Sequence, residues 1–123
     1  MIRGTVNARH EPLIPLRLRG PSGIELEVDA VIDTGFTGVM ILPAAIITAL
    51  DLPVYANSSA ILGDGTVRPF DTYLAVVEWD GVWQSVVVSE LGDEISIGTG
   101  LLAGHEMYVE FVPGGVVDIT AMP

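Results

Sequence analysis

The segment Ala30-Val31-Ile32-Asp33-Thr34-Gly35 ends the most regular stretch of this chain and decides its fold. Directly upstream, residues 24–29 alternate between apolar and acidic side chains (Ile-Glu-Leu-Glu-Val-Asp). This alternation is typical of a β-strand with one buried face, and the apolar triplet that follows indicates a strand that runs into a core. Asp33 then stands at the inner end of the strand, where a carboxylate is expected to be paired, to close a turn or to take part in chemistry.

Short apolar runs separated by Gly, Pro and Asp-Gly turns make up most of the chain, which predicts an all-β fold. One short helix is predicted at Ala44–Leu50, because Pro43 suits the first turn of a helix and Pro53 prevents its continuation. A helical turn is predicted to begin at Leu101–Ala103. The predicted strands are Leu13–Arg19, Ile24–Ile32, Val39–Leu42, Ser59–Leu62, Thr66–Arg68, Tyr73–Trp79, Val82–Val88, Ile95–Gly98, Tyr108–Val112 and Val116–Ile119.

Composition narrows the class of protein. The chain has 123 residues without a low-complexity linker, which predicts a single domain over residues 1–123. The formal net charge of −11 argues against a nucleic-acid partner, since binding phosphates requires a Lys/Arg surface. No apolar run approaches the roughly 18 residues of a membrane span, and Met1–Thr5 does not resemble a signal peptide, so we expect a cytoplasmic protein.

The sequence predicts no metal and no cofactor. It contains no cysteine, which excludes disulfides and thiolate metal sites. His10 and His105 are far apart in the sequence, and neither belongs to a motif with metal-ligand spacing. No Ser lies in a nucleophile-elbow pattern, and Gly63–Thr66 lacks the Lys of a phosphate-binding loop.

The basic residues are concentrated near the N-terminus. Four of the five lie in the first 20 residues, at Arg3, Arg9, Arg17 and Arg19, and the fifth is Arg68. A solvated edge strand is the favoured interpretation of this segment. The alternative is a segment that lies against an acidic body or partner.

Two short segments of the chain are similar to each other. Ile32–Phe36 aligns with Ile97–Leu101, and each follows a predicted strand, as expected if the fold is built from two similar halves. Only the first segment carries an acid, Asp33. Taken alone, Asp-Thr-Gly is compatible with a simple Asx turn at the end of a strand.

Three elements in order give the chain a family resemblance. Ala30–Gly35 resembles the catalytic loop of the retropepsin-like aspartic proteases (clan AA), the single-domain relatives of pepsin. The hairpin Ile61–Val67 lies at the position of their flap, and Ile97-Gly98 followed by Leu101-Leu102 resembles their conserved element near the C-terminus. The run from Phe36-Thr37-Gly38 to Leu42-Pro43 is similar to bacterial members, and the resemblance covers Leu13 to Ile119.

This resemblance implies a closed acid-protease barrel with one or two short helices that acts as a homodimer. Asp33 of each copy would be catalytic, and the pair would share one proton while activating a water against a peptide bond. Thr34 would hydrogen-bond to the opposing loop, and Gly35 would let its N–H approach the carboxylate. The flap residues Gly63, Asp64 and Gly65 would close over a peptide or protein substrate bound as an added strand, although an ordinary surface turn is equally compatible with this hairpin.

The chain departs from the family pattern at two positions. Phe36 replaces the small residue that commonly follows the catalytic triplet, and Thr99 replaces an Arg that braces viral dimers, so dimerisation would use other contacts such as the termini. Two other functions fit the sequence. One is a peptide- or partner-binding module of the same fold that does not cleave, and the other is a generic small β-barrel in which Asp33 only closes a turn.

Overall fold

The computed structural model describes all residues, 1–123, and is dominated by β-structure. Strand accounts for 53% of the chain and helix for 8%, which confirms the all-β prediction. The elements in chain order are β1 (Ile2–Val6), β2 (Pro12–Arg19), β3 (Glu25–Ile32), β4 (Met40–Ile41), α1 (Ala44–Ala49), β5 (Val54–Ile61), β6 (Val67–Trp79), β7 (Val82–Ser89), β8 (Ser96–Ile97), α2 (Thr99–Leu102), β9 (His105–Val109) and β10 (Val116–Ala121).

Six strands close into a barrel, as predicted. The strand order around the ring is β6-β7-β4-β8-β3-β2, and β2 returns to β6 through the pairs Leu18↔Val77 and Arg19↔Val76. Most neighbours are antiparallel, but β8 runs parallel to β3, and β4 runs parallel to β7. The remaining strands extend the sheet on either side of the ring, with β5 next to β6 at one end and β1, β10 and β9 next to β2 at the other.

The core follows from the alternation read in the sequence. In β2, Ile14, Leu16 and Leu18 are buried, while Pro15 and Arg17 between them are exposed. In β3 the acidic side chains face solvent, and the strand becomes buried only at its end, at Ala30 and Ile32. Both strands belong to one hydrophobic cluster of 19 buried residues. Strand β3 therefore carries the chain from the surface into the core, immediately before Asp33.

The prediction of a solvated N-terminal edge strand was wrong. Strand β1 is interior to the sheet, because it pairs with β10 on one side and with β2 on the other. Its Arg3 lies 3.2 Å from the carboxylate of Asp118, and Arg17 of β2 contacts Glu25 at 3.1 Å and Glu78 at 3.6 Å. Acidic residues of the same chain therefore pair with these bases. This agrees with the alternative interpretation, in which the basic segment lies against an acidic body.

The structure also differs from the prediction at two other strand boundaries. The flap-like hairpin was predicted at Ser59–Arg68, but its strands run from Val54 to Trp79. The strand predicted at Tyr108–Val112 ends at Val109, because the residues that follow form a turn closed by the Gly115 N–H bonding to the Val112 carbonyl at 2.8 Å.

The two helices are short and lie beside the barrel. Helix α1 has six residues and begins after Pro43, as predicted, and α2 has four. Neither helix has the length or apolar character needed to cross a bilayer.

Candidate active site at the end of strand β3

Asp33 is held by its backbone at the end of β3. The parallel pairs Val31↔Ser96 and Ile32↔Ile97 join β3 to β8, and the Asp33 N–H extends this ladder by donating to the Ile97 carbonyl at 2.9 Å. The side chain leaves the barrel at this point and is exposed. A rigid, buried pair of strands thus presents one carboxylate to solvent.

The loop after Asp33 is a tight turn. The Gly35 N–H donates to Asp33 Oδ1 at 2.9 Å, and the Phe36 N–H donates to the Asp33 carbonyl at 3.1 Å. A Cβ at position 35 would lie only 3.2 Å from the same carboxylate oxygen, so a side chain there would crowd the acid. The first hydrogen bond is that of an Asx turn. The turn alone is therefore compatible with both roles of Asp33, a catalytic acid and an acid that only closes the end of a strand.

A second segment, Gly98–Gly100, crosses this loop. The Gly98 N–H donates to the Val39 carbonyl at 3.0 Å, the Thr99 N–H to the Phe36 carbonyl at 2.9 Å, and the Gly100 N–H to the Gly38 carbonyl at 3.0 Å. This is the segment that the sequence aligned with Ile32–Phe36. The two similar segments pair directly with each other, and the second one braces the loop that carries the acid.

Phe36 is accommodated by two glycines. A Cβ at position 38 would lie 2.3 Å from Cζ of the Phe36 ring, and a Cβ at position 98 would lie 2.5 Å from its Cδ2. The ring therefore occupies space that side chains at positions 38 and 98 would otherwise need. This packing explains how the loop tolerates a large residue immediately after the Asp-Thr-Gly triplet.

A cavity of about 320 Å³ opens beside the carboxylate. Asp33 and Thr34 lie on one side of it, and its lining includes His10, Glu11, Glu94 and Ser96. No flap residue lines this cavity within one chain, and no hydrogen bond joins Leu62–Thr66 to the Asp33 loop. The structure thus brings Asp33, Thr34 and Gly35 together and leaves Gly63, Asp64 and Gly65 apart from them.

The turn between β1 and β2 delivers His10 and Glu11 to the cavity. Asn7 Oδ1 accepts the N–H groups of Arg9 and Glu11, both at 2.9 Å, and Asn7 Nδ2 donates to Glu11 Oε1 at 3.0 Å. His10 is held in the left-handed region at φ 64°, a conformation that costs free energy for a residue with a side chain. The turn is therefore fixed by its own hydrogen bonds.

Sequence reasoning missed Glu11, Glu94 and Ser96 and considered His10 only as a metal ligand. The register of the β2–β3 hairpin was the available signal, since Leu13 pairs with Val31 and continuing that register places Glu11 opposite Asp33. For Glu94 no local signal exists, because its position depends on the parallel pairing of β8 with β3.

The flap-like hairpin projects from the barrel with apolar side chains exposed. Near its tip Ile61 is 80% exposed and its pairing partner Val67 is 64% exposed. Asp64 Oδ1 accepts the Thr66 hydroxyl at 2.7 Å and the Thr66 N–H at 2.9 Å, and these bonds lower the pKa of Asp64 below its ordinary value. The bonds to Thr66 therefore favour the charged form of Asp64 at the tip.

The remaining candidates do not form a further centre. His105 accepts a hydrogen bond from Trp79 Nε1 at 3.3 Å, while His10 lies at the Asp33 cavity. No group of three His, Cys, Asp or Glu side chains is arranged to hold a metal ion. Asp29, four residues before Asp33, is exposed and forms no ion pair.

No protein-family model matches this chain, and no curated protein matches its sequence. The functional interpretation therefore depends on the geometry of the site and on the motifs described above.

Proposed function

We propose that this chain is a retropepsin-like aspartic endopeptidase that acts as a homodimer, with Asp33 of each copy forming the catalytic dyad. The observation that carries the proposal is the Asp33 carboxylate, which is exposed at the mouth of a cavity on a doubly braced loop and has no ion-pair partner. A structural acid needs neither the cavity nor the crossing segment Gly98–Gly100.

One chain provides only half of the required chemistry. Peptide hydrolysis needs a base for the water and an acid for the carbonyl oxygen, and a lone carboxylate cannot be both at once. Two Asp33 side chains that face each other share one proton, because two adjacent carboxylates cannot both ionise. The dimer therefore supplies both forms of the same residue.

The proposed reaction follows from this pair. The ionised Asp33 takes a proton from the water, the water oxygen bonds to the peptide carbon, and the protonated Asp33 of the second copy gives its proton to the carbonyl oxygen. Collapse of the resulting diol breaks the C–N bond, with one proton passing to the leaving nitrogen. The products are a carboxylic acid and an amine, and the dyad returns to its singly protonated state.

The projecting hairpin supports a peptide as substrate. Strand β5 is an edge of the sheet, so its outer N–H and C=O groups are free to pair with an extended chain. Exposed apolar side chains at Ile61, Leu62 and Val67 would cover a peptide lying between the hairpin and the Asp33 loop. Closing the hairpin would exclude water from the reaction.

The same edge also favours the second candidate, a module that binds peptides or a partner protein without cleaving them. A transition-state mimic of the pepstatin type distinguishes the two functions. It should bind an enzyme far more tightly than the corresponding substrate peptide, whereas a simple binder would show no such preference.

The decisive experiment is cleavage of an unbiased peptide library by wild-type protein, Asp33→Asn and Asp29→Asn. Loss of the general acid–base pair should lower kcat/KM in Asp33→Asn by about 10²–10⁴-fold or more. Asp29→Asn is the matched control, because it removes an exposed acid from the same strand outside the cavity. Equal cleavage by Asp33→Asn and wild type, or no cleavage by a demonstrated dimer at any pH, would contradict the proposal.

A further inference from the structure

We infer that the cavity beside Asp33 is a specificity subsite for a basic side chain, Lys or Arg, in the residue that flanks the scissile bond. This inference rests on the proposed endopeptidase function and adds the substrate class. Its grounds are the position of the cavity, the charges that line it and the Ser96 hydroxyl at its wall.

The position of the cavity next to Asp33 indicates that it receives a side chain of the substrate. Asp33 and Thr34 are part of its lining, so a peptide whose carbonyl carbon lies at the Asp33 carboxylate places the neighbouring side chain at the cavity mouth. Its volume of about 320 Å³ lies at the lower end of the range typical of ligand pockets. A long single side chain matches this size better than a larger ligand does.

The lining is negatively charged. Glu94 is exposed and forms no hydrogen bond or ion pair within the chain. Glu11 has only one nearby base, Arg9, at 3.9 Å, and the Arg9 side chain is 86% exposed, so solvent screens this contact. No arginine lines the cavity, and the chain contains no lysine. A cationic side chain is therefore attracted, and an acidic one is repelled.

Ser96 provides a polar contact for a ligand in the cavity. The residue is only 5% exposed and lines the same cavity. Its hydroxyl forms no hydrogen bond within the chain, and it is not among the fully buried unpaired atoms, so its oxygen is open to the cavity. A hydroxyl at the wall of a cavity bonds to water there, and a ligand that displaces this water must replace the bond. An ammonium or guanidinium group carries only donors, and the Ser96 oxygen can accept one of them.

An apolar side chain satisfies none of these groups. It would leave the Ser96 hydroxyl unpaired and would remove water from the two carboxylates without replacing it. The lining thus favours a donor-rich cation over a hydrophobic residue, although Val31 and Ile32 give the wall an apolar part that the stem of Lys or Arg can contact.

The test uses three peptides that differ only in the residue flanking the scissile bond, which is Lys, Met or Glu. We expect wild type to prefer Lys over Met and to cleave the Glu peptide least. Glu94→Gln should lower kcat/KM for the Lys peptide about 3- to 10-fold while leaving the Met peptide unchanged, and Glu94→Lys should reverse the order of Lys and Glu. Glu27→Gln is the control, because it removes an equal charge from an exposed position outside the cavity.

Binding of the same peptides to Asp33→Asn protein makes the result independent of turnover. Tighter binding of the Lys peptide, lost in the Asp33→Asn/Glu94→Gln double variant but not with Glu27→Gln, supports recognition of a basic side chain at this cavity, and the cleavage rates test separately whether that side chain flanks a scissile bond. Cleavage with equal rates for Lys and Met, or a preference that Glu94→Gln leaves unchanged, would overturn the subsite and leave the endopeptidase standing. Equal binding of all three peptides would overturn it as well.

Discussion

Phe36 and Gly98 illustrate how individual residues fix the Asp33 loop. The Phe36 ring and carbonyl, together with the Gly38 carbonyl, surround the α-carbon of Gly98, and a Cβ there would lie 2.4 Å from the Gly38 oxygen. Backbone atoms cannot move away as a flexible side chain can. Any side chain at position 98 must therefore displace the loop that carries the acid.

We expect Gly98→Ala to lower the free energy of unfolding by about 1–3 kcal/mol, as overpacking commonly does. Urea denaturation at a fixed subunit concentration measures this change, and peptide cleavage should fall with it because Asp33 moves. Gly63→Ala is the stability control, since nothing lies within 4 Å of a Cβ built there. Equal stability of the two variants would show that the crossing segment does not brace the loop.

At the scale of elements, the hairpin of β5 and β6 combines a strongly paired base with an exposed tip. The pairs continue from Val54↔Tyr73 to Ile61↔Val67, with a bulge between Val54 and Ala56. Along the outer half of this hairpin lies a cavity of about 330 Å³, lined by polar residues that include Arg68, Asp71 and Glu90. The tip is held only by the hydrogen bonds of its own turn, in which Thr66 is bonded to Asp64.

The Thr66 hydroxyl, followed by its N–H, is the main reason that the pKa of Asp64 lies below 3.8. Because the pKa of Asp64 is lowered in the folded protein, its charged form stabilises the turn at every pH above the ordinary pKa of 3.8. This stabilisation is lost as the pH falls through the pKa of Asp64 in the folded protein. We expect Thr66→Val to raise the pKa of Asp64 toward 3.8, as measured by NMR titration of the carboxyl carbon. Thr66→Ser keeps the hydroxyl and should retain the low pKa. An unchanged value in Thr66→Val would refute this assignment.

For the whole molecule, the proposal requires two copies, although the terminal strands already pair within one chain. Strand β1 lies between β10 and β2, which leaves β9 as the edge of the sheet on that side. The adjoining surface exposes Tyr108, Phe111 and Val112. In a dimer, the second copy would therefore pack against a sheet that is already complete. The two copies would not need to exchange their terminal strands.

We expect the activity per subunit to fall on dilution and to return on concentration, in step with the dimer fraction from sedimentation velocity. An equal amount of Asp33→Asn protein, allowed to exchange, should lower wild-type activity to about half, because mixed dimers have one acid. The Asp29→Asn protein in the same amount should not inhibit. Full activity from a subunit that sediments as a monomer would exclude a shared dyad.

The sequence alone determined the pattern of the barrel strands and the place of the acid. Alternation along Ile24–Ile32, the proline-started helix after Pro43 and the hairpin around Asp80-Gly81 are local properties, so each could be recognised without knowing its neighbours. The all-β class followed from these elements together, whereas the closed barrel was expected only from the family resemblance. The Asp-Thr-Gly triplet likewise identified Asp33 as the residue on which a function would depend.

Only the tertiary structure decided what surrounds that acid. Burying β1 inside the sheet, pairing β8 with β3 in parallel and bringing Glu94 and Ser96 to the Asp33 cavity all depend on contacts between residues distant in sequence. Such contacts are selected by the free energy of the whole packed barrel, because a strand gains stability only from the partner that covers its open edge. Local sequence patterns predict which residues form strands. The packing of the closed barrel determines which strands lie next to each other.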